Sequence, residues 1–83
     1  MNWKEESTAQ GQSALLKEFK FKDFVSAWGF MNRVALIAEK MDHHPDICIK
    51  NYKNVTISTT THDAGNKLTD KDYRLAKAID KLL

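Results

Sequence analysis

A second cysteine is missing, so Cys48 cannot close an internal disulfide, and one thiol among three histidines lacks the paired spacing of a structural zinc site. A lone thiol fits a reducing interior. No apolar run approaches membrane-spanning length, and the first twenty residues hold no apolar stretch of the secretory-signal kind, so a cytoplasmic protein without a membrane partner is expected. Excess charge of one sign is absent as well. The net charge is +2 and basic residues alternate with acidic ones, as in "KLTDKDYRLAK", which reads as a solvated helix face and gives no reason to expect direct nucleic-acid binding. No linker, repeat or low-complexity tract divides the 83 residues. They read as one domain, 1–83, near the lower size limit for a self-sufficient core, which oligomerisation would help.

What is present is enough to fold. Apolar content is 42%, with charged residues of both signs at 29%, which argues against disorder. Trp3 to Glu6 reads as a short strand, the polar "ESTAQGQS" at 6–13 as a hairpin loop, and 14–21 as a second strand on the alternation of Phe19, Lys20 and Phe21. Asp23 is placed to cap a helix over 23–42, where Phe24, Trp28, Met31, Ala35, Ala38 and Met41 recur at the spacing of one face. Gly29 inside it costs about 1 kcal/mol relative to alanine, which points to an element packed closely there. Pro45 is expected to end this helix. Residues 47–52 and 55–62 read as a hairpin turned by "NYKN", "HDAGNK" as a loop, and Thr69 with Asp72 as the capping box of a closing helix that shows Leu75, Ile79 and Leu82 on one face. The order β-β-α-β-β-α predicts an α+β fold, a four-stranded antiparallel sheet with two helices packed on one face.

The chemistry-bearing residues are few. Glu39 and His43 stand four apart, so on a continuous helix the carboxylate would orient the ring and favour its protonated form. The plain alternative is a surface pair worth a few tenths of a kcal/mol. Pro45 forces His44 toward an extended conformation, aiming its ring away from that of His43. His62 shares strand parity with Thr56, Ser58 and Thr60, opposite Val55 and Ile57, and so faces away from the core. Asp72 is accounted for by its capping box. Metal ligation is the weaker reading, because adjacent histidines rarely aim both rings at one ion and no histidine pair stands at i,i+4.

Glu39, three residues, His43-His44-Pro45, six residues, Tyr52, nine residues, His62 and then Asp72 resembles the signature of the pterin-4a-carbinolamine dehydratases. The likeness extends through "FKFKDFVSAWGFMNRVALIAEKMDHHPD", "THDAG" and "LTDKDYRLAKAID", nearly the whole chain from Trp3. It implies loss of water from a 4a-hydroxytetrahydropterin, with His43 and His62 as acid-base residues, His44 holding the pterin and Glu39 orienting His43. Pro45, Thr61, His62, Asp63 and Ala64 would line the substrate site together with His43 and His44. No metal or organic cofactor is expected, and members are homodimers or homotetramers. The resemblance also admits a non-catalytic reading, since animal members serve as dimerisation cofactors of a transcription factor and some microbial relatives belong to pterin or molybdopterin metabolism. In this chain the usual "THDAGGLT" loop is "THDAGNKLT", one residue longer, the sequence starts at Met1 almost directly with Trp3 where many members carry an additional helical segment before the first strand, and Ile47 stands where animal members have an aromatic residue.

Overall fold

The computed structural model describes residues 2–83. Four strands, β1 (Lys4–Ser7), β2 (Ser13–Lys20), β3 (Asp46–Lys50) and β4 (Asn54–Thr59), form one antiparallel sheet in the order β1-β2-β4-β3. Helices α1 (Phe24–Met41) and α2 (Asp70–Asp80) follow each hairpin. The first hairpin closes with Ser7 opposite Ser13, and Gly11 takes the left-handed backbone (φ 84°) its turn needs. The second turns through Asn51 and Tyr52, both left-handed, so β3 stops at Lys50 rather than Tyr52. β4 ends at Thr59 instead of continuing to residue 62, because the chain leaves the sheet through a lone bridge between Thr61 and Lys67 and a 3₁₀ turn at His62–Ala64.

Both helices cover the same face of the sheet. Period-2 parity brings Phe19, Val55 and Ile57 to that side, where they pack with Ala27, Phe30, Val34 and Ala38 of α1 and Leu75 and Ile79 of α2. Phe30 sits 4.8 Å from Phe19 and 4.9 Å from Phe21, ring centre to ring centre, so aromatic packing anchors α1 to β2 and the residue just after it. Trp3 joins this cluster edge-on to Phe19, while its indole N–H donates to the Asp80 carboxylate, which also accepts from Lys17 at 2.8 Å.

The buried stripe of α1 is displaced from the expected one. Ala27, Phe30, Val34 and Ala38 are inside, whereas Phe24, Trp28 and Ala35 are exposed and Met31 is half-buried. α1 carries two adjacent apolar stripes at helical spacing, and periodicity alone does not say which one meets the sheet. The helix also ends earlier than Pro45 would dictate. Asp42 adopts the left-handed conformation (φ 53°), its N–H reaches the carbonyls of Ala38 and Glu39, and His43 N–H reaches Ala38 as well. That is a Schellman reversal, made before the proline is reached.

No element packs closely on Gly29. A Cβ there would meet only Arg33 Nη1, at an ordinary 3.7 Å. Gly29→Ala is therefore expected to stabilise the chain by about 0.5–1 kcal/mol through the helix-propensity difference alone. A higher urea midpoint at unchanged m-value is the check.

Candidate active site

The site is assembled where α1 ends, β4 ends and α2 begins. Asp72, fully buried in the first turn of α2, accepts hydrogen bonds on both oxygens. Oδ1 takes the Thr59 hydroxyl at 2.7 Å and lies 2.6 Å from His43 Nε2, while Oδ2 takes the Thr61 hydroxyl at 2.8 Å and the Thr69 backbone N–H at 3.0 Å. With its own hydrogen committed to Asp72, the Thr61 hydroxyl accepts from that of Thr69, 2.6 Å away. Burial pushes the Asp72 carboxyl up, but the bonds from His43, Thr59, Thr69 and Thr61 outweigh it and hold it below the usual carboxylate value. An ionised carboxylate only accepts, so the His43 nitrogen facing it carries the hydrogen. His43 is buried with it, 8% exposed.

This corrects the pairing read from spacing. Glu39 does not orient His43; its Oε1 lies 2.8 Å from Nε2 of His44, with both side chains well exposed. The i,i+4 argument needs a continuous helix, and the reversal at Asp42 turns the chain before His43. Asp72 accordingly does more than cap α2. The capping box is present, yet the same carboxylate holds His43 and the end of β4.

His43, His44 and His62 line one cleft of about 210 Å³, together with Thr61 and Asp63 of the expected set. Asp42, Thr60 and Lys71 complete it and were not foreseen. Pro45 and Ala64 lie off this cleft; Ala64 opens onto a neighbouring depression shared with Thr61, Asp63 and Thr69. Tyr52 is exposed in the β3–β4 turn, at the end of that hairpin remote from His44. His62 is exposed, and its Nδ1 lies 2.8 Å from Oδ1 of Asn66. An amide oxygen only accepts, so Nδ1 bears the hydrogen and Nε2 is left as the ring's proton acceptor. Asn66 belongs to the part of the loop that departs from the usual pattern, and it takes the left-handed backbone (φ 61°). Among the described residues no three His, Cys, Asp or Glu side chains gather as a metal site would require. No helix there is long and apolar enough to cross a membrane.

The depressed Asp72 carboxyl makes acid stability a readout of this network. Below its unfolded value of about 3.9 the unfolded chain binds a proton that the folded chain resists. Stability from this group is therefore complete above that pH and is lost as pH falls through the folded value. Urea titrations from pH 6 to pH 2.5 are expected to show an acid limb shallower in Asp72→Asn than in the wild type, by at most about 1.4 kcal/mol per pH unit, one proton's worth. Asp23, also held low by Ser26, contributes to both proteins alike.

Comparison with known proteins agrees with the fold. The family described as pterin 4 alpha carbinolamine dehydratase matches residues 1–82. A Prochlorococcus marinus protein that carries the provisional name pterin-4-alpha-carbinolamine dehydratase is 55% identical over 67 residues, covering 81% of this chain and 68% of its own. The crystal structure of a transcriptional coactivator/pterin dehydratase from Brucella melitensis superposes with a TM-score of 0.77 at 38% identity, over 93% of this chain and 79% of that one. A pterin dehydratase-like protein described as a RuBisCO assembly factor in the alpha-carboxysome shares the fold, with a TM-score of 0.80 at 20% identity, over 99% and 89% of the two chains. By extent of match and by fold, the chain belongs to the pterin-4a-carbinolamine dehydratase family.

Proposed function

We propose that this chain dehydrates a 4a-hydroxytetrahydropterin to the quinonoid dihydropterin, the step that returns the pterin left by aromatic amino acid hydroxylases to use. The observation that carries this reading is the meeting of His43, His44 and His62 at one cleft although they are up to nineteen residues apart in sequence. Water leaves across the C4a–N5 bond: the C4a hydroxyl departs with a proton supplied by an acid, and N5 gives its proton to a base. An imidazole can both give and take a proton, so the rings suit both ends of that transfer.

The two rings are backed differently. His43 has a buried carboxylate behind it, so a positive charge gained with a proton sits against Asp72, as in other carboxylate-histidine pairs. His62 has the neutral Asn66 amide, which fixes its tautomer without adding charge. His44, held from outside by Glu39, presents a third polar group to the heterocycle. Asp72 and Asn66 act through the histidines and are positioning residues. Self-association into a dimer or tetramer has a candidate surface in the apolar stripe of Phe24, Val25, Trp28 and Leu36 that α1 leaves exposed.

The non-catalytic alternative, a pterin-binding or dimerisation module, draws on the coactivator wording in the Brucella protein's description. Such a module has no use for a histidine backed by a buried carboxylate, and the dehydratase reading accounts for that pair.

His43→Ala or His62→Ala is expected to slow the dehydration by roughly 10²-fold or more, followed by stopped-flow loss of the 4a-hydroxy chromophore. Wild-type turnover by the folded double variant sinks the reading. Asn66→Gly, which keeps the left-handed backbone free of strain, is expected to lower the rate roughly 2–10-fold, the worth of one hydrogen bond. The ring-nitrogen NMR of His62 would change from one tautomer to a mixture in that variant, a signature a merely structural loop residue would not give.

A further inference from the structure

At the end of the sheet remote from the histidines, the chain makes a turn that one of its residues does not favour. Asn51 and Tyr52 both take the left-handed backbone, with φ of 50° and 56°. Asparagine adopts it readily, whereas a bulky side chain there is strained. Core packing does not compensate, because Tyr52 is 58% exposed. Its ring instead has the Lys53 ammonium 5.6 Å from its centre, within cation–π range. Strain held on an exposed aromatic points to a surface that serves something outside the chain.

The surroundings of that ring are basic. Lys20 and Lys50 both pair with Asn54, from opposite sides of β4, and parity turns all three away from the helices. The two lysines stand two strand spacings apart, roughly 9–10 Å between Cα atoms. Phe21 donates its N–H to the Lys53 carbonyl at 2.9 Å, which brings Lys22 alongside the turn. Among the described residues none of Lys20, Lys22, Lys50 and Lys53 has a carboxylate within ion-pair distance. Asp23, next to Lys22, is already engaged as the cap of α1, where it accepts from the Ser26 N–H.

We propose that the β3–β4 turn, with these lysines around Tyr52, docks an acidic segment of another protein. The tyrosine supplies a rigid contact and a hydroxyl that donates to a carboxylate, while the ammonium groups around it give attraction and register. A nucleic-acid strand fits less well. Four lysines release few counterions, Glu18 stands one row along the same face, opposite Thr56, and one aromatic gives no succession of stacking platforms. The surface is independent of the dehydratase reading. β4 runs from Asn54 at this turn to Thr59 beside Asp72, so the histidine cleft lies at the other end of the sheet and stays open while the turn is engaged.

The test is a titration of the isotope-labelled chain with blocked octaglutamate, followed by amide chemical shifts at low ionic strength, with octaglutamine and a thymidine octanucleotide as controls. Octaglutamate is expected to shift the amides of residues 20–22 and 50–54 and to bind about 10-fold more weakly at physiological salt, and octaglutamine to shift none. Lys20→Gln with Lys50→Gln is expected to weaken octaglutamate about 10-fold while the dehydration rate stays at the wild-type value. Tyr52→Gly is expected to raise the urea midpoint while weakening octaglutamate about 3-fold. Stability and affinity then move in opposite directions, which a turn without a partner does not give. Shifts scattered over all the lysines, wild-type affinity in the double variant, or a thymidine strand that binds more tightly than octaglutamate overturns the proposal. Concentration-dependent shifts of the same amides without peptide assign the turn to a second copy of the chain and overturn it as well.

Discussion

One buried carboxylate organises this end of the molecule. Taking an isolated charge out of water costs several kcal/mol, so an unpartnered Asp72 would be protonated or the helix would shift. Instead both oxygens are filled from three directions: His43 from the chain after α1, Thr59 and Thr61 from the end of β4, and Thr69 from the residue that caps α2. Each donor needs the others, because removing one leaves a lone pair of a buried ion unmet. The position of His43 is therefore a property of the meeting of two helices and a strand, not of its own segment. Among the described residues no buried side-chain nitrogen or oxygen lacks a partner, so the network is closed.

How much of this could be read from sequence depended on how local the cause was. The strand-strand-helix order, the cap at Asp23 and the capping box at Thr69 and Asp72 follow from short-range patterns, and they hold. The face of α1 was misread because Phe24, Trp28 and Ala35 repeat with the same period as Phe30, Val34 and Ala38, and only the sheet decides between them. Glu39 was matched to the wrong histidine because the left-handed turn at Asp42 is a tertiary choice that an aspartate permits but does not announce. The histidines were legible as a set; their backing groups were not. Asp72 is 29 residues from His43, and its capping role was a sufficient explanation by itself. Asn66 carried a signal only as a departure from an expected loop, and its bond to His62 needed the loop's shape.

Two clefts meet at His62, one of about 210 Å³ shared with the other histidines and one of about 530 Å³ that extends toward the β1–β2 hairpin. His43 sits where the chain is most constrained, against a closed polar network, while His44 and His62 are exposed at the ends of regular elements. The neighbouring groove is built from a hairpin, where side chains change with little effect on packing. A single imidazole, that of His62, borders both the constrained end of the molecule and the more adaptable one.

Ser13 qualifies that freedom. Because its backbone and hydroxyl are knotted to Asn66, Leu68 and Thr60, lengthening or shortening the first β-turn would tug on the segment that carries His62. Side chains that line the groove can be exchanged one at a time, but a change of length at the hairpin tip is transmitted to the placement of His62. Turn length and the placement of that ring are thus mechanically linked through one serine, although the two stand far apart along the chain.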